Sequence, residues 1–109
     1  MVNRKYKLQY LPLFYEDFDE ILSYIRDRLN NPEAAAELIN QVEQAILERS
    51  YYPESFEKFQ SVRDRKYPYY KIRVNNYLIF YVVYENSEHE KIMEVRRIMH
   101  SAGNQVSFI

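Results

Sequence analysis

The pattern of apolar and polar positions in residues 69–84 predicts two adjacent β-strands. The first run alternates, and its apolar members on one face are Tyr70, Ile72 and Val74. The second run, residues 77–84, is apolar or aromatic at nearly every position, as in a strand covered on both faces. Asn75 and Asn76 separate the runs, and such a pair between two strands indicates a tight turn. We therefore predict a β-hairpin at the centre of the fold.

Two segments before this hairpin follow the helical period instead. Residues 12–30 place one apolar stripe along a helix, made by Phe14, Phe18, Ile21, Leu22, Ile25 and Leu29. Residues 32–50 repeat the pattern with Ala35, Leu38, Ile39, Val42, Ala45 and Ile46. Asn31 suits the N-cap of the second helix and Pro32 its first turn. The short connection predicts an antiparallel helical hairpin.

Two further strands are predicted near the ends of the chain. Residues 6–10 alternate strictly, and residues 91–99 form the last strand. We expect Met93, Val95 and Met99 on one face of that strand, and the opposite face to carry Ile92, Glu94, Arg96 and Ile98. Arg97 interrupts the apolar face. Because a buried unpaired charge is costly, Arg97 either pairs with a carboxylate or lies where the strand end is open.

These elements predict an α+β fold within a single domain, residues 1–109. An N-terminal strand precedes the antiparallel helical hairpin, and a three-stranded antiparallel meander follows, with both helices packed on one face of the sheet. Residues 51–68 show no clear period and predict a loop. A connection of this length is often functional. Its basic run, residues 63–66, either contacts RNA or an acidic partner or is simply solvated.

Composition limits the classes of function. The formal net charge is −1, which provides no global basic field for nucleic acid. The chain has no cysteine, which excludes disulfides and thiolate chemistry. No stretch has the apolar core of a signal peptide or the length of a membrane span, so we expect a cytoplasmic protein without membrane contact.

The ordered set of elements resembles the RelE/ParE superfamily of toxins from type II toxin–antitoxin modules. The resemblance covers nearly the whole chain. It depends on the helical hairpin followed by three strand motifs: residues 70–74 (Tyr-Lys-Ile-Arg-Val), residues 77–81 (Tyr-Leu-Ile-Phe-Tyr) and residues 97–100 (Arg-Ile-Met-His). It implies a toxin without metal or other cofactor. It also implies an antitoxin whose C-terminal segment wraps the toxin, for which the helical hairpin and residues Val106, Phe108 and Ile109 are the candidate contacts.

The resemblance also names candidate catalytic residues. RelE-like members cleave mRNA in the ribosomal A site with basic side chains on central strands, and Lys71 and Arg73 match two of those positions. The next arginine of that set is Leu78 here, and the arginine that follows the last RelE strand has no counterpart in residues 101–103. Arg97 and His100 complete the candidate set, and the ending they belong to resembles ParE-like members.

Three functions remain open from the sequence. The first is a ParE-like inhibitor that binds DNA gyrase. The second is a ribosome-dependent mRNA endoribonuclease with a rearranged site, in which His100 serves as acid or base and the cations bind phosphate. The third is a non-toxic protein that retains antitoxin binding. Each candidate side chain also has an ordinary role as a solvated or structural charge, and contact with the antitoxin is a third role open to Lys71 and Arg73.

Overall fold

The computed structural model describes residues 6–59 and 66–103 of this chain. Its elements are β1 (Tyr6–Tyr10), α1 (Pro12–Ser23), a π-helical turn (Tyr24–Arg28), α2 (Pro32–Arg49), β2 (Lys58–Phe59), β3 (Tyr69–Val74), β4 (Tyr77–Glu85) and β5 (Lys91–His100). The predicted order of strand, helical hairpin and meander is therefore confirmed. The two-residue β2 was not predicted. The basic run at residues 63–65 and the tail residues Val106, Phe108 and Ile109 lie outside the described part of the chain.

The strands form one sheet in the order β1-β5-β4-β3-β2. β1 runs parallel to β5, and the other neighbours are antiparallel. The parallel pair follows from the helical hairpin, which carries the chain from β1 across one sheet face before the meander begins. The sheet is thus mixed, with the predicted antiparallel meander in its interior.

Local sequence explains where both helices begin. Pro12 and Pro32 occupy first-turn positions, where the missing N–H breaks no helical hydrogen bond. Asn31 caps α2, and its side-chain oxygen accepts a hydrogen bond from the Ala34 N–H at 3.1 Å. Asn30 takes a left-handed φ of 52° between the helices, a conformation that asparagine tolerates better than most residues. The predicted cap and turn are confirmed.

Both faces of the sheet bury apolar side chains. The helix-covered face contributes the larger cluster, which includes Phe14, Leu38, Val42, Ile46, Ile72, Ile79, Tyr81, Met93, Val95 and Ile98. The opposite face carries a second buried cluster of Tyr69, Leu78, Phe80 and Val82. β4 supplies both clusters, so the prediction that this strand is covered on both sides is confirmed.

The predicted faces of β5 are wrong beyond Val95. Phe80 lies opposite Arg97 and Tyr81 lies opposite Val95, so Arg96 is an extra residue in the strand. A bulge of this kind reverses the inward and outward alternation from that point. Ile98 therefore joins Met93 and Val95 in the helix-side cluster, while Met99 packs against the opposite cluster.

Candidate functional site

Lys71 and Arg73 lie on the face of β3 that points away from the helices. Both side chains are exposed, while Tyr70, Ile72 and Val74 are buried on the helix side. Because side chains alternate between the two faces of a strand, residues 71 and 73 present their cations on the same surface. This is the arrangement that the sequence predicted for these residues.

The neighbouring strand adds apolar side chains to this surface. Leu78 lies opposite Arg73, and Phe80 lies opposite Lys71. Leu78 is 5% exposed and Phe80 is fully buried, both in the second cluster. A phosphate placed beside Lys71 and Arg73 would therefore meet hydrocarbon on β4.

Arg97 binds a carboxylate of α1. Its Nε donates to Asp17 Oδ2 at 2.7 Å, and its Nη2 donates to Asp17 Oδ1 at 2.8 Å. Hydrogen bonding by Asp17 raises the pKa of Arg97 above its ordinary value. Asp17 Oδ2 also accepts from the Ile98 main-chain N–H at 3.2 Å. Of the two roles open for Arg97, the structure shows the carboxylate pair.

His100 lies at the end of β5 on the helix side. Its ring packs edge-on against Tyr77, with the centroids 5.4 Å apart, and its Nδ1 accepts from the Ala102 N–H at 3.1 Å. A cleft of about 440 Å³ opens between this strand end and α1, lined also by Glu20, Ile21 and Tyr24. Lys71 and Arg73 face the other side of the sheet. The structure therefore brings the four candidates together in two pairs: Lys71 and Arg73 share one surface, whereas Arg97 and His100 line this cleft.

A buried carboxylate forms a polar network that sequence reasoning missed. Glu94 is 5% exposed. Its Oε2 accepts from Gln9 Nε2 at 3.0 Å and from the Tyr84 hydroxyl at 2.8 Å, and its Oε1 accepts from Arg96 Nε at 3.0 Å. Burial raises the pKa of the Tyr84 hydroxyl, and the bond to Glu94 adds to that shift. The network offsets the cost of burying this charge.

Arg49, at the end of α2, joins the helix to the sheet. Its Nη1 donates to the Tyr81 hydroxyl at 2.9 Å and to the Lys71 carbonyl at 3.0 Å. The Tyr81 hydroxyl in turn donates to the Pro53 carbonyl at 2.6 Å. The Arg49 guanidinium lies 3.5 Å from the centroid of the Phe56 ring. The sequence places a basic residue at a helix end but carries no signal for this long-range role.

A groove on the helical hairpin is lined mainly by aromatic and aliphatic residues. Its volume is about 380 Å³, and its apolar lining is Tyr10, Phe14, Tyr15, Phe18, Leu22, Ile39, Val42 and Ile46. Tyr15 is 52% exposed. An amphipathic helix or an extended peptide is the kind of partner that such a groove accommodates.

In residues 6–59 and 66–103, no cluster of three or more His, Asp or Glu side chains is placed to hold a metal ion. Within the same part of the chain, neither helix is long and apolar enough to cross a bilayer.

Comparison with known proteins supplies the family. A family model described as ParE toxin of the type II toxin–antitoxin system, parDE, matches residues 8–104. Among curated proteins no significant match is found. The matched range includes both helices, the whole described sheet except its first two residues, and all four candidate side chains. The chain therefore belongs to the ParE toxin family of type II toxin–antitoxin systems.

Proposed function

We propose that this toxin inhibits growth by binding DNA gyrase, and that its cognate antitoxin neutralises it. The main support for this proposal is the match to the ParE toxin family model. The positions of Leu78 and Arg97 add to it. Leu78 is buried beside Arg73, at the position where RelE-like nucleases carry an arginine. Arg97 is bound to Asp17. Little cationic charge then remains to stabilise a phosphoryl transition state, whereas inhibition by binding requires none.

A supercoiling assay tests this proposal. We expect the purified chain to block gyrase-dependent supercoiling of relaxed plasmid at near-stoichiometric concentration, and the antitoxin to restore it. Relaxation of the same plasmid by topoisomerase I serves as the control for non-specific DNA binding. Unchanged supercoiling at a large molar excess of toxin would contradict the proposal.

A second candidate is ribosome-dependent mRNA cleavage, which one feature of β3 favours. Lys71 and Arg73 are exposed on one surface, and the register places Lys71, Phe80 and Arg97 in one row across three strands. Two cations at this spacing can contact neighbouring phosphates of a single strand. Under this alternative, Lys71 and Arg73 bind phosphate with Arg97 in the same row. The proton-transfer role expected for His100 is not supported, because His100 lies on the helix side of the sheet.

Primer extension on translated mRNA distinguishes the two candidates. Under the alternative, A-site cuts appear on induction, and Lys71→Ala with Arg73→Ala reduces cleavage by roughly 10²-fold or more, because charge stabilisation is lost. Lys7→Ala, an exposed lysine on β1, is the matched control. An absence of cuts at toxic expression would exclude cleavage. Normal growth without antitoxin would instead support a non-toxic antitoxin-binding protein.

Membership of this family implies an antitoxin as partner. The groove between α1 and α2 is our proposed docking site for an apolar segment of it, because its lining is mainly apolar and the Tyr15 ring is half exposed there. Gyrase, ribosomes and antitoxins are cytoplasmic, so the proposal also places the toxin in the cytoplasm.

A further inference from the structure

The outer edge of β3 is only partly covered by β2. β2 pairs Lys58 with Tyr70 and Phe59 with Tyr69, and residues 71–74 extend past it. On the other side, Val74 and Tyr77 close the turn to β4 as directly opposite residues. Residues that flank a two-residue turn in this way exchange main-chain hydrogen bonds. The direction of these hydrogen bonds alternates along the strand. The N–H and C=O groups of residues 71 and 73 therefore point away from β4.

A side chain satisfies one of these edge groups. Arg49 Nη1 donates to the Lys71 carbonyl at 3.0 Å, a position where a neighbouring strand would otherwise supply an N–H. Across the described residues, no hydrogen bond is formed to the main chain of Arg73 on this side. Arg73 is exposed. The edge at residues 72–74 is therefore open to a further strand.

A cavity lies against this edge on the helix side. Its volume is about 520 Å³, and Ile72 and Arg73 line it together with Ala45, Glu48, Arg49, Tyr52, Ser55 and Phe56. Tyr52 is 67% exposed and Phe56 is 49% exposed. Open backbone groups beside exposed rings are the two features by which extended peptides are recognised.

We propose that an extended segment of the antitoxin adds as a strand beside residues 72–74 of β3. Its side chains on the helix side are apolar and contact Tyr52 and Phe56. Its side chains on the other face are acidic and lie opposite Arg73 and diagonally beside Lys71, because opposite charges in cross-strand positions stabilise a pair. The segment therefore alternates apolar and acidic residues over about 10 Å.

The same charges disfavour a second copy of this chain as the occupant. Antiparallel pairing of two β3 edges would bring the Lys71 and Arg73 side chains of both copies together, and like charges directly opposite are destabilising. Lysine and arginine on an edge strand protect it against such self-association. An acidic strand is attracted to these charges, whereas a second copy of the chain is repelled by them. The edge is therefore selective for the acidic strand.

The inference rests on the antitoxin that family membership implies, and it is independent of the cellular target. Its test uses the full-length chain and its cognate antitoxin. Arg73→Pro removes the outward N–H without breaking the β3–β4 ladder, whereas Arg73→Ala removes only the side chain. We expect Arg73→Pro to weaken antitoxin binding by roughly tenfold more than Arg73→Ala. Equal affinities of these two variants would overturn the proposal.

Three further measurements keep the test decisive. Amide exchange on the unmutated toxin should slow at Arg73 when the antitoxin binds, and unchanged exchange there would overturn the proposal even if Arg73→Pro fails to fold. Arg73→Glu should weaken binding more than Arg28→Glu, a matched exposed arginine on the π-helical turn. A toxin dimer that Arg73→Pro dissociates without antitoxin would assign the edge to a second copy instead. A negative gyrase assay leaves all of these readouts unaffected.

Discussion

At the scale of single residues, Arg97 shows how a side chain with catalytic chemistry acquires a structural partner. β1 pairs with β5 only as far as Val95. Beyond that point the β5 edge faces α1, where Asp17 accepts two hydrogen bonds from Arg97 and one from the Ile98 N–H. The Arg97 and Asp17 side chains are only 17% and 13% exposed. The pair therefore closes a part of the β5 edge that no strand covers within the described residues.

We expect Asp17→Ala to lower the free energy of unfolding by about 3 kcal/mol, because it removes the carboxylate that binds the poorly solvated Arg97 guanidinium. Urea unfolding measures the change. Asp19→Ala, which removes an exposed carboxylate of the same helix, is the control and should change stability by less than about 0.5 kcal/mol. If both variants lose the same amount, the pair does not hold the strand edge.

At the scale of elements, the start of α2 depends on one cap. Asn31 Oδ1 accepts from the Ala34 N–H, and Pro32 and Glu33 follow in the first turn. α2 carries much of the helix-side core, including Leu38, Val42 and Ile46. Loss of the cap would fray the first turn next to the connection between the helices.

Asn31→Ala should therefore destabilise the protein by about 1 kcal/mol, since one helical N–H loses its acceptor. Thermal unfolding followed by circular dichroism at 222 nm measures the effect. Asn40→Ala, an exposed position within α2, should be neutral or slightly stabilising because alanine is the better helix former. A larger loss from Asn40→Ala than from Asn31→Ala would contradict the capping role.

At the scale of the whole molecule, Tyr81 connects three parts of the chain. Its ring is buried and stacks on Tyr70, with the centroids 5.2 Å apart. Its hydroxyl accepts from Arg49 on α2 and donates to the Pro53 carbonyl in the following loop. Burial raises the pKa of Tyr81 to about 12, although Arg49 opposes the shift.

This shift predicts a loss of stability at alkaline pH. In the unfolded chain the phenol ionises near its ordinary value of 10.0, while in the folded protein it stays neutral up to about 12. Below pH 10 the ionisation of Tyr81 therefore leaves the free energy of unfolding unchanged. Between pH 10 and about 12 it lowers that free energy as the pH rises. One such group costs about 1.4 kcal/mol per pH unit within that range.

Urea unfolding at pH 9 and pH 11 tests this expectation. Tyr81→Phe should lose about 1.4 kcal/mol less than the unmutated chain between those values, because it has no phenol to ionise. The chain has 12 tyrosines, so the difference between the two proteins isolates Tyr81. Identical losses would show that Tyr81 does not couple ionisation to folding.

Local patterns were sufficient for most of the fold. The periods of residues 12–30 and 32–50 predicted the helices, and Asn31 and Pro32 predicted where α2 begins. The alternation of β3 placed Lys71 and Arg73 on one exposed surface. Each of these features depends on neighbours within about four residues, which the sequence displays directly.

The tertiary structure decided what depends on distant contacts. The bulge at Arg96 moved Ile98 to the core side and Met99 to the opposite cluster, and no period along β5 records an inserted residue. Asp17 became the partner of Arg97 across 80 positions. Arg49 reached the edge of β3, and β2 paired only with Tyr69 and Tyr70 of that strand. Sequence alone therefore determined the two helices, the four longer strands and the family, whereas packing between distant segments decided which charges are bound and which part of a strand edge β2 leaves uncovered.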